Sequence, residues 1–198
     1  SLPFVYDAQT MVTNAKQIEF WVKRGAVAAV LARELTFDEI KSIQGNVSVP
    51  VEVLVYGATC IHHSKRPLVT NYFRFTKQDR TGDKGLFISD MQTPDSQYSI
   101  YEDMNGTHIF APEDINLLPY LDQLAEAGLA WWKMDGIFAT GERFVEIAHL
   151  FVHAKQAIQQ GTWTMELMEQ LNDRLLALHP KERPISAGFF TRNPTEVK

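Results

Sequence analysis

Residues 51–67 have the sequence VEVLVYGATCIHHSKRP, which predicts a buried strand followed by a reactive loop. Val51 to Tyr56 form an apolar run that only Glu52 interrupts, as expected for a strand covered on both faces. Gly57 is predicted to end this strand, because glycine commonly marks a turn. In parallel α/β folds, the loops that follow the carboxyl ends of strands carry the chemistry. We therefore place the candidate site after Gly57.

The segments before this strand alternate between strand and helix patterns. Residues 4–6 and 27–31 are short apolar runs, and helices are predicted over 15–23 and from Phe37 to about Ile43. Asn14 is a predicted N-cap, and Thr36 and Glu39 have the spacing of a capping box. Strand and helix alternation with short links is typical of parallel βαβ units.

The pattern changes to alternating apolar and polar residues over 85–111. Two turn signals, including Asn105-Gly106, divide this region, so three antiparallel strands are predicted near 86–91, 97–103 and 107–111. A helix that Pro119 opens and Gly128 closes follows, then a buried strand from Leu129 to Met134. Two long helices are predicted at about 142–160 and 164–178.

Motifs along the whole chain carry a family resemblance. They are, in order, Gln9-Thr10-Met11-Val12-Thr13-Asn14, Val30-Leu31-Ala32-Arg33-Glu34-Leu35-Thr36, Glu52 with Gly57-Ala58 and Cys60, Glu102-Asp103-Met104-Asn105-Gly106-Thr107, Trp132-Lys133-Met134-Asp135-Gly136 and Ser186-Ala187-Gly188-Phe189. Together they resemble peptidase family U32, often described as collagenase-like proteases. The resemblance implies an α/β fold, a partial (β/α)8 TIM-type barrel made of its later strands. We expect residues 1–198 to be a single domain fragment of this kind, with an antiparallel β insertion at about 85–111 and C-terminal helices at about 142–178.

The chain departs from the family pattern at its cysteines. Lys65 and Pro67 stand where the family signature has glycine and a second cysteine, and Cys60 is the one cysteine of the chain. Family members that hold an iron–sulfur cluster need several cysteines, so no cofactor is predicted. No metal is predicted either. His149 and His153 share a helix face, but they lack the HExxH pattern, and exposed helix histidines are the preferred interpretation.

Composition limits the kinds of protein and the cellular locations that fit this chain. The net charge is −5, which argues against a protein whose whole surface binds nucleic acid. One cysteine makes no internal disulfide, so a cytoplasmic location is expected. The chain opens Ser1-Leu2-Pro3, and we expect a fragment of a longer protein. Uncovered strand edges would then favour self-association, or pairing with the missing N-terminal half of the barrel.

Cys60 and Glu52 are the candidate catalytic residues with the clearest chemistry. Cys60 is a candidate nucleophile with His62 or His63 as its base, and the alternative is a packed thiol. Glu52 lies in a strand otherwise buried, where a carboxylate needs a partner. Arg33 or Lys133 is predicted to supply it, either as a structural salt bridge or as part of a substrate site.

Charged residues at the strand ends form a second candidate set. Arg33 and Glu34 lie near the end of one predicted strand, and Lys133 and Asp135 near the end of another. Alternation would place Lys133 and Asp135 on one face. Charges at a barrel rim bind each other or a ligand. An anionic small ligand is the favoured interpretation.

The segment 62–84 is basic, whereas the remainder is acidic. Six lysines and arginines against two aspartates give it a charge of +4, and the other residues carry −9. Lys65 and Arg66 lie in it beside Tyr72, Phe73 and Phe75. Cations interleaved with rings suit the phosphates and bases of single-stranded RNA. The alternative is a solvated loop that its rings anchor.

Three hypotheses of function follow from the resemblance. The first is a peptidase that cleaves polypeptide at a site near Cys60. The second is hydroxylation of the tRNA wobble uridine with a prephenate-derived input, in which other family members are implicated. The third is a non-catalytic binding scaffold. The basic aromatic segment favours the second, and the sequence contains no phosphate-binding GxxxxGK, no GxGxxG and no GxSxG motif.

Overall fold

A computed structural model of the chain describes residues 2–8, 11–79, 85–89, 91 and 96–193. The described residues form a mixed α/β structure with two sheets and six α-helices. The strands are β1 (Phe4–Tyr6), β2 (Ala26–Val30), β3 (Val51–Gly57), β4 (Cys60–Ser64), β5 (Phe87–Ser89), β6 (Gln97–Asp103), β7 (Gly106–Phe110), β8 (Asp114–Asn116), β9 (Trp131–Met134) and β10 (Ile185–Ser186). The helices are α1 (Ala15–Val22), α2 (Phe37–Gln44), α3 (Leu68–Thr76), α4 (Leu121–Glu126), α5 (Glu142–Gln160) and α6 (Met165–Leu178). No helix in these residues is long and apolar enough to cross a membrane.

The first sheet has six strands and is centred on β3. Strands β1, β2, β3 and β9 are parallel neighbours in chain order, with α1 and α2 in the first two connections. Strand β8 pairs antiparallel with the end of β3, and β10 pairs parallel with β8. Parallel strands that neighbour each other in chain order occur in (β/α)8 barrels, and the partial barrel stays a prediction.

The starts of α1 and α2 follow the sequence predictions. The side chain of Asn14 accepts a hydrogen bond from the backbone N–H of Gln17 at 2.9 Å, which caps α1. Thr36 and Glu39 form the capping box of α2, with the Thr36 amide donating to the Glu39 carboxylate at 2.8 Å. These caps are local in sequence, so the sequence alone predicts them.

The second sheet is antiparallel, in the order β4-β7-β6-β5. Strands β5, β6 and β7 lie where the alternation predicted them, but the prediction of a loop after Gly57 is wrong. Cys60–Ser64 is instead the edge strand β4, because β7 supplies it with backbone partners. Gly106, with φ of +123°, permits this pairing, since a side chain there would collide with the backbone of Ser64 and Lys65.

Two further corrections concern the segments after β4 and before β9. The basic segment was predicted as a loop, yet residues 68–76 form helix α3, which buries Val69. The predicted buried strand from Leu129 to Met134 begins at Trp131 and is partly exposed, although Leu129 itself is fully buried. Helices α5 and α6 lie where they were predicted, and they pack against each other.

The core lies on β3 and the helices around it. Val51 and Val55 are fully or almost fully buried in it, as are Leu121 of α4, Ile147 of α5 and Leu175 of α6. The sequence predicted no strand at β8 or β10, which are too short to show a periodic pattern. Both are held by pairing to elements distant in the chain.

Candidate functional site

Cys60 and its neighbouring histidines lie on β4. The Cys60 thiol donates to the backbone carbonyl of His62, with Sγ and the oxygen 3.4 Å apart. Both imidazoles are exposed, and the Nε2 of His63 donates to the carbonyl of Asn105 at 3.3 Å. Neither contact joins the thiol to an imidazole. The structure therefore places the predicted nucleophile beside its predicted bases without pairing them.

Glu52 pairs with one of its two predicted partners. The Nζ of Lys133 lies 3.6 Å from the Glu52 carboxylate, and both side chains are partly exposed to solvent. Arg33 instead donates to the carbonyl of Ala58 at 3.2 Å. A pair this exposed contributes about 0–1 kcal/mol to stability. Glu52 is therefore not a buried carboxylate that requires Lys133 as its partner.

Asp135 does not share a strand with Lys133. It lies beyond the end of β9, and its carboxylate accepts from the backbone N–H of Ile137 at 3.0 Å. The charged residues that the sequence predicted at one rim thus make three separate contacts. Lys133 pairs with Glu52, Arg33 contacts a backbone carbonyl, and Asp135 accepts from the backbone just after β9.

Exposed cations lie at both ends of α3: Lys65 and Arg66 precede the helix, Arg74 lies in its last turn and Lys77 follows it. We call the exposed residues Lys65, Arg66, Arg74 and Lys77 the basic corner. Tyr72 is 59% exposed and Phe75 is 87% exposed on the same helix. Arg80, Asp83 and Lys84 of the predicted basic segment lie outside the described residues. Tyr72 and Phe73, which the sequence predicted to contact RNA, therefore lie on a helix rather than in a loop.

An apolar groove of about 360 Å³ lies between α3 and strands β5 and β6. Tyr72 and Phe73 line it from the helix, and Phe87, Ile88 and Ile100 line it from the sheet. The Phe73 ring packs edge-on against Tyr72, with centroids 5.6 Å apart. The exposed ring of Tyr72 and an apolar groove therefore lie on the α3 side of the second sheet.

Helix α3 is capped by residues of β6 and β7 and not by its own N-cap, Pro67. The Glu102 carboxylate accepts from the Val69 amide at 2.9 Å and from the Thr70 amide and hydroxyl. Burial alone would raise the pKa of Glu102, but these hydrogen bonds outweigh it and lower the pKa below its ordinary value. Thr107 accepts from the Leu68 amide at 2.9 Å. The basic corner therefore depends on a cap more than thirty residues away in sequence.

Sequence reasoning missed a buried ion pair between β8 of the first sheet and the segment before β10. Arg183 donates to Asp114 from Nε at 2.8 Å and from a terminal nitrogen at 2.5 Å. It also donates to the hydroxyl of Ser99 and to the carbonyl of Ala111, both at 3.0 Å. Asp114 and Arg183 are 69 residues apart, so no local pattern links them.

The same network reaches β3 through a histidine. The Nε2–H of His179 donates to the carbonyl of Arg183 at 3.1 Å, which leaves Nδ1 to accept from the Tyr56 hydroxyl at 2.9 Å. Burial raises the pKa of Tyr56 and lowers the pKa of His179. Both groups are therefore neutral near pH 7, and the network holds the segment after α6 against β3.

The donor set does not fit an iron–sulfur cluster. The chain has one cysteine, so it supplies one thiolate. Within the described residues, no three His, Cys, Asp or Glu side chains are grouped to hold a metal ion. Glu146, which shares a helix face with His149, pairs with Arg174 at 2.7 Å. The two helix histidines are exposed, as the sequence favoured.

Comparison with known proteins gives the chain a family. Among curated proteins, tRNA hydroxylation protein P2 of Bacillus subtilis (strain 168) is 33% identical over 191 residues, covering 93% of this chain and 62% of that protein. The tRNA hydroxylation protein P of Escherichia coli (strain K12) is 23% identical, covering 68% of this chain and 40% of that protein. Collagenase of Porphyromonas gingivalis (strain ATCC BAA-308 / W83) is 21% identical, covering 84% and 43%.

The chain spans less than two thirds of the length of each of these relatives. No solved structure matches it. The model of peptidase family U32 matches residues 1–198, which is the whole chain. The predicted resemblance is thereby confirmed, and the chain belongs to peptidase family U32.

Proposed function

We propose that this chain is part of a protein that takes part in tRNA hydroxylation, with the wobble uridine as the modified base and a prephenate-derived input. The observation that carries the proposal is the 33% identity, over 93% of the chain, to a protein named for tRNA hydroxylation. The Escherichia coli relative bears the same kind of name. Neither name says which residues contact RNA, so those contacts are argued from the geometry of this chain.

The basic corner supports an RNA substrate. Lys65 and Arg66 are exposed at the end of β4, and Arg74 is exposed on α3. The net charge of the chain is −5, so a cluster of cations is a local departure from an acidic surface. Cations held at fixed spacing attract phosphates, and the nearby rings of Tyr72 and Phe75 offer faces on which bases stack. In this proposal the corner binds the tRNA backbone and the rings contact unpaired bases.

Reversing the charge of the basic corner tests this proposal. We expect Lys65→Glu with Arg66→Glu to weaken tRNA binding by the full-length protein and to reduce the salt dependence of the affinity. Each lost phosphate contact lowers the slope of log affinity against log salt by about 0.7 for single strands. A matched control is Lys16→Glu with Lys181→Glu, two exposed lysines elsewhere on the chain. Unchanged affinity and slope in the first variant would contradict an RNA-binding role.

Collagenase-like proteolysis is the second candidate function. The match to the collagenase of Porphyromonas gingivalis favours it, and Cys60 would be its nucleophile with His62 or His63 as base. The Cys60 thiol donates to a backbone carbonyl, so proteolysis would need this side chain to turn towards an imidazole. Digestion of gelatin by the full-length protein, absent in Cys60→Ser, would favour proteolysis over tRNA hydroxylation.

A further inference from the structure

Three rings form a row across the second sheet, on the face opposite α3. Tyr101 of β6 pairs with His108 of β7, which pairs in turn with His63 of β4. The imidazoles of His63 and His108 stack with centroids 4.6 Å apart at 13°, and Tyr101 lies 6.3 Å from His108 at 34°. The next cross-strand pair, Glu102 and Thr107, contacts α3, and successive side chains alternate between faces. We call Tyr101, His108 and His63 the ring row.

Hydrogen bonds fix the two imidazoles. The Nε2–H of His108 donates to the Asp103 carboxylate at 3.2 Å, and the Nε2–H of His63 donates to the Asn105 carbonyl at 3.3 Å. The backbone N–H of Asn105 donates to Asp103 at 2.7 Å and holds the pKa of Asp103 below its ordinary value. Near pH 7, Asp103 is therefore ionised and accepts the hydrogen bond from His108. The ring row is therefore ordered before any ligand arrives, which reduces the entropy cost of binding.

The ring row is open at the sheet edge. Strand β4 is the first strand in the order β4-β7-β6-β5, so no strand of the described chain lies beyond His63. His63 is exposed, and Tyr101 at the other end of the row is 46% exposed. Lys65, the first cation of the basic corner, is exposed two residues after His63. An open stack of rings thus ends two residues before an exposed cation, Lys65.

We propose that the ring row stacks an unpaired nucleobase of an RNA strand whose backbone passes Lys65, the cation of the basic corner nearest to the ring row in sequence. Proteins that recognise unpaired RNA stack bases on Phe, Tyr, Trp or His side chains of a sheet or groove. A base added beyond His63 continues the stack at the sheet edge, and its backbone then passes Lys65. That the RNA is tRNA rests on the proposed function. That a base stacks on the ring row is argued from the geometry of the rings.

Fluorescence of a stacked base measures this contact directly. We would titrate the full-length protein into a short single-stranded RNA carrying one 2-aminopurine, a base whose emission falls when it stacks. Quenching is expected with the natural protein. In Tyr101→Ala with His63→Ala, quenching should be lost and affinity should fall roughly tenfold or more, given the usual contribution of one stacked base. His63→Phe retains a ring and should retain quenching.

Phe20→Ala is the matched control, because Phe20 on α1 is 47% exposed, close to Tyr101 at 46%. It should change neither quenching nor affinity. Undiminished quenching in the double alanine variant would overturn the proposal. A folded His63→Phe protein, as judged by circular dichroism, that lost as much RNA affinity as the double alanine variant would also overturn it. So would a double alanine variant that lost affinity for a polypeptide and not for RNA. If the protein quenches the base but deletion of its gene leaves tRNA hydroxylation intact, the proposed function is refuted and the stacking of a base by the ring row is not.

Discussion

Arg183 joins three parts of the chain with one guanidinium group. It pairs with Asp114 on β8, donates to Ser99 on β6 and lies 3.9 Å above the ring of Phe138. Asp114 is almost completely buried, so its carboxylate oxygens need hydrogen-bond partners within the protein. The loss of one member of a buried pair is costly, because the other charge stays out of water.

We predict that Arg183→Met lowers the free energy of unfolding by about 3–5 kcal/mol, the usual cost of a buried charge left without its partner. Urea unfolding followed by circular dichroism measures the change. Asp114→Asn added to Arg183→Met should recover part of the loss, since the uncompensated charge is removed. A loss below about 1 kcal/mol in the single variant would contradict a structural role for the pair.

His179 makes stability depend on pH. Its pKa lies below the ordinary value of 6.5, chiefly because burial disfavours the charged ring, with the nearby Asp114 acting in the opposite direction. The unfolded chain therefore binds a proton that the folded chain does not. Stability from this group is present above pH 6.5 and is lost as the pH falls towards the pKa of the folded state.

We predict that the free energy of unfolding falls between about pH 7.5 and about pH 5.5, and that the fall is smaller in His179→Gln, which cannot titrate. Protonation would place a hydrogen on Nδ1, which accepts from the Tyr56 hydroxyl in the folded state. Urea unfolding at several pH values gives both slopes. Equal slopes in the two proteins would show that His179 does not set this dependence.

The first turn of helix α3 is capped by the carboxylate of Glu102. Its sequence contains Val69, Thr70 and three aromatic residues, whose helix propensities are weak. The cap from β6 therefore contributes much of what fixes the start of the helix. Its loss would also disturb the basic corner, because Arg74 and Lys77 follow that first turn.

We predict that Glu102→Ala lowers stability by about 1–2 kcal/mol, as other lost helix caps do, and increases hydrogen exchange over residues 68–76. RNA affinity should fall as well. Glu102→Gln keeps an oxygen acceptor and should lose less of each. Glu113→Ala removes an exposed carboxylate elsewhere and is the control. Exchange over 68–76 at the natural rate in Glu102→Ala would contradict the capping role.

Elements fixed by local signals were predictable from the sequence, and elements fixed by distant partners were not. The caps at Asn14 and Thr36 lie within four residues of their partners, and the apolar run of β3 identifies it as buried. Strand β4 pairs with β7 more than forty residues later, and α3 is capped across a similar separation. Of the predicted site, the partnership of Glu52 with Lys133 appears in the structure, whereas the pairing of Arg183 with Asp114 had no sequence signal.

For the whole molecule, the order of parallel strands leaves apolar residues at one end of the first sheet. Val5 on β1 and Val27 on β2 are each 49% exposed. Strand β1 ends the sheet, and no strand of the described residues pairs with its outer edge. Uncovered edges of this kind are normally paired or hidden.

We predict that the 198-residue chain, prepared alone, associates with itself to cover this edge, and that adding the N-terminal part of the proposed barrel removes the association. Light scattering at micromolar concentration measures the mass. Val5→Lys with Val27→Lys, which places charge on the exposed positions, should restore the mass of one chain. A mass of one chain for the unaltered protein would contradict the prediction.

In the proposed function, this member of family U32 acts on tRNA through its basic corner. Mass spectrometry of tRNA nucleosides tests it most directly, in cells that lack the full-length gene and carry either natural or altered protein. We predict that hydroxylated uridine disappears on deletion and returns with the natural protein and with Lys16→Glu, Lys181→Glu. It should not return with Lys65→Glu, Arg66→Glu. Hydroxylated uridine that persists in the deletion strain, or that the basic-corner variant restores in full, would contradict the claim.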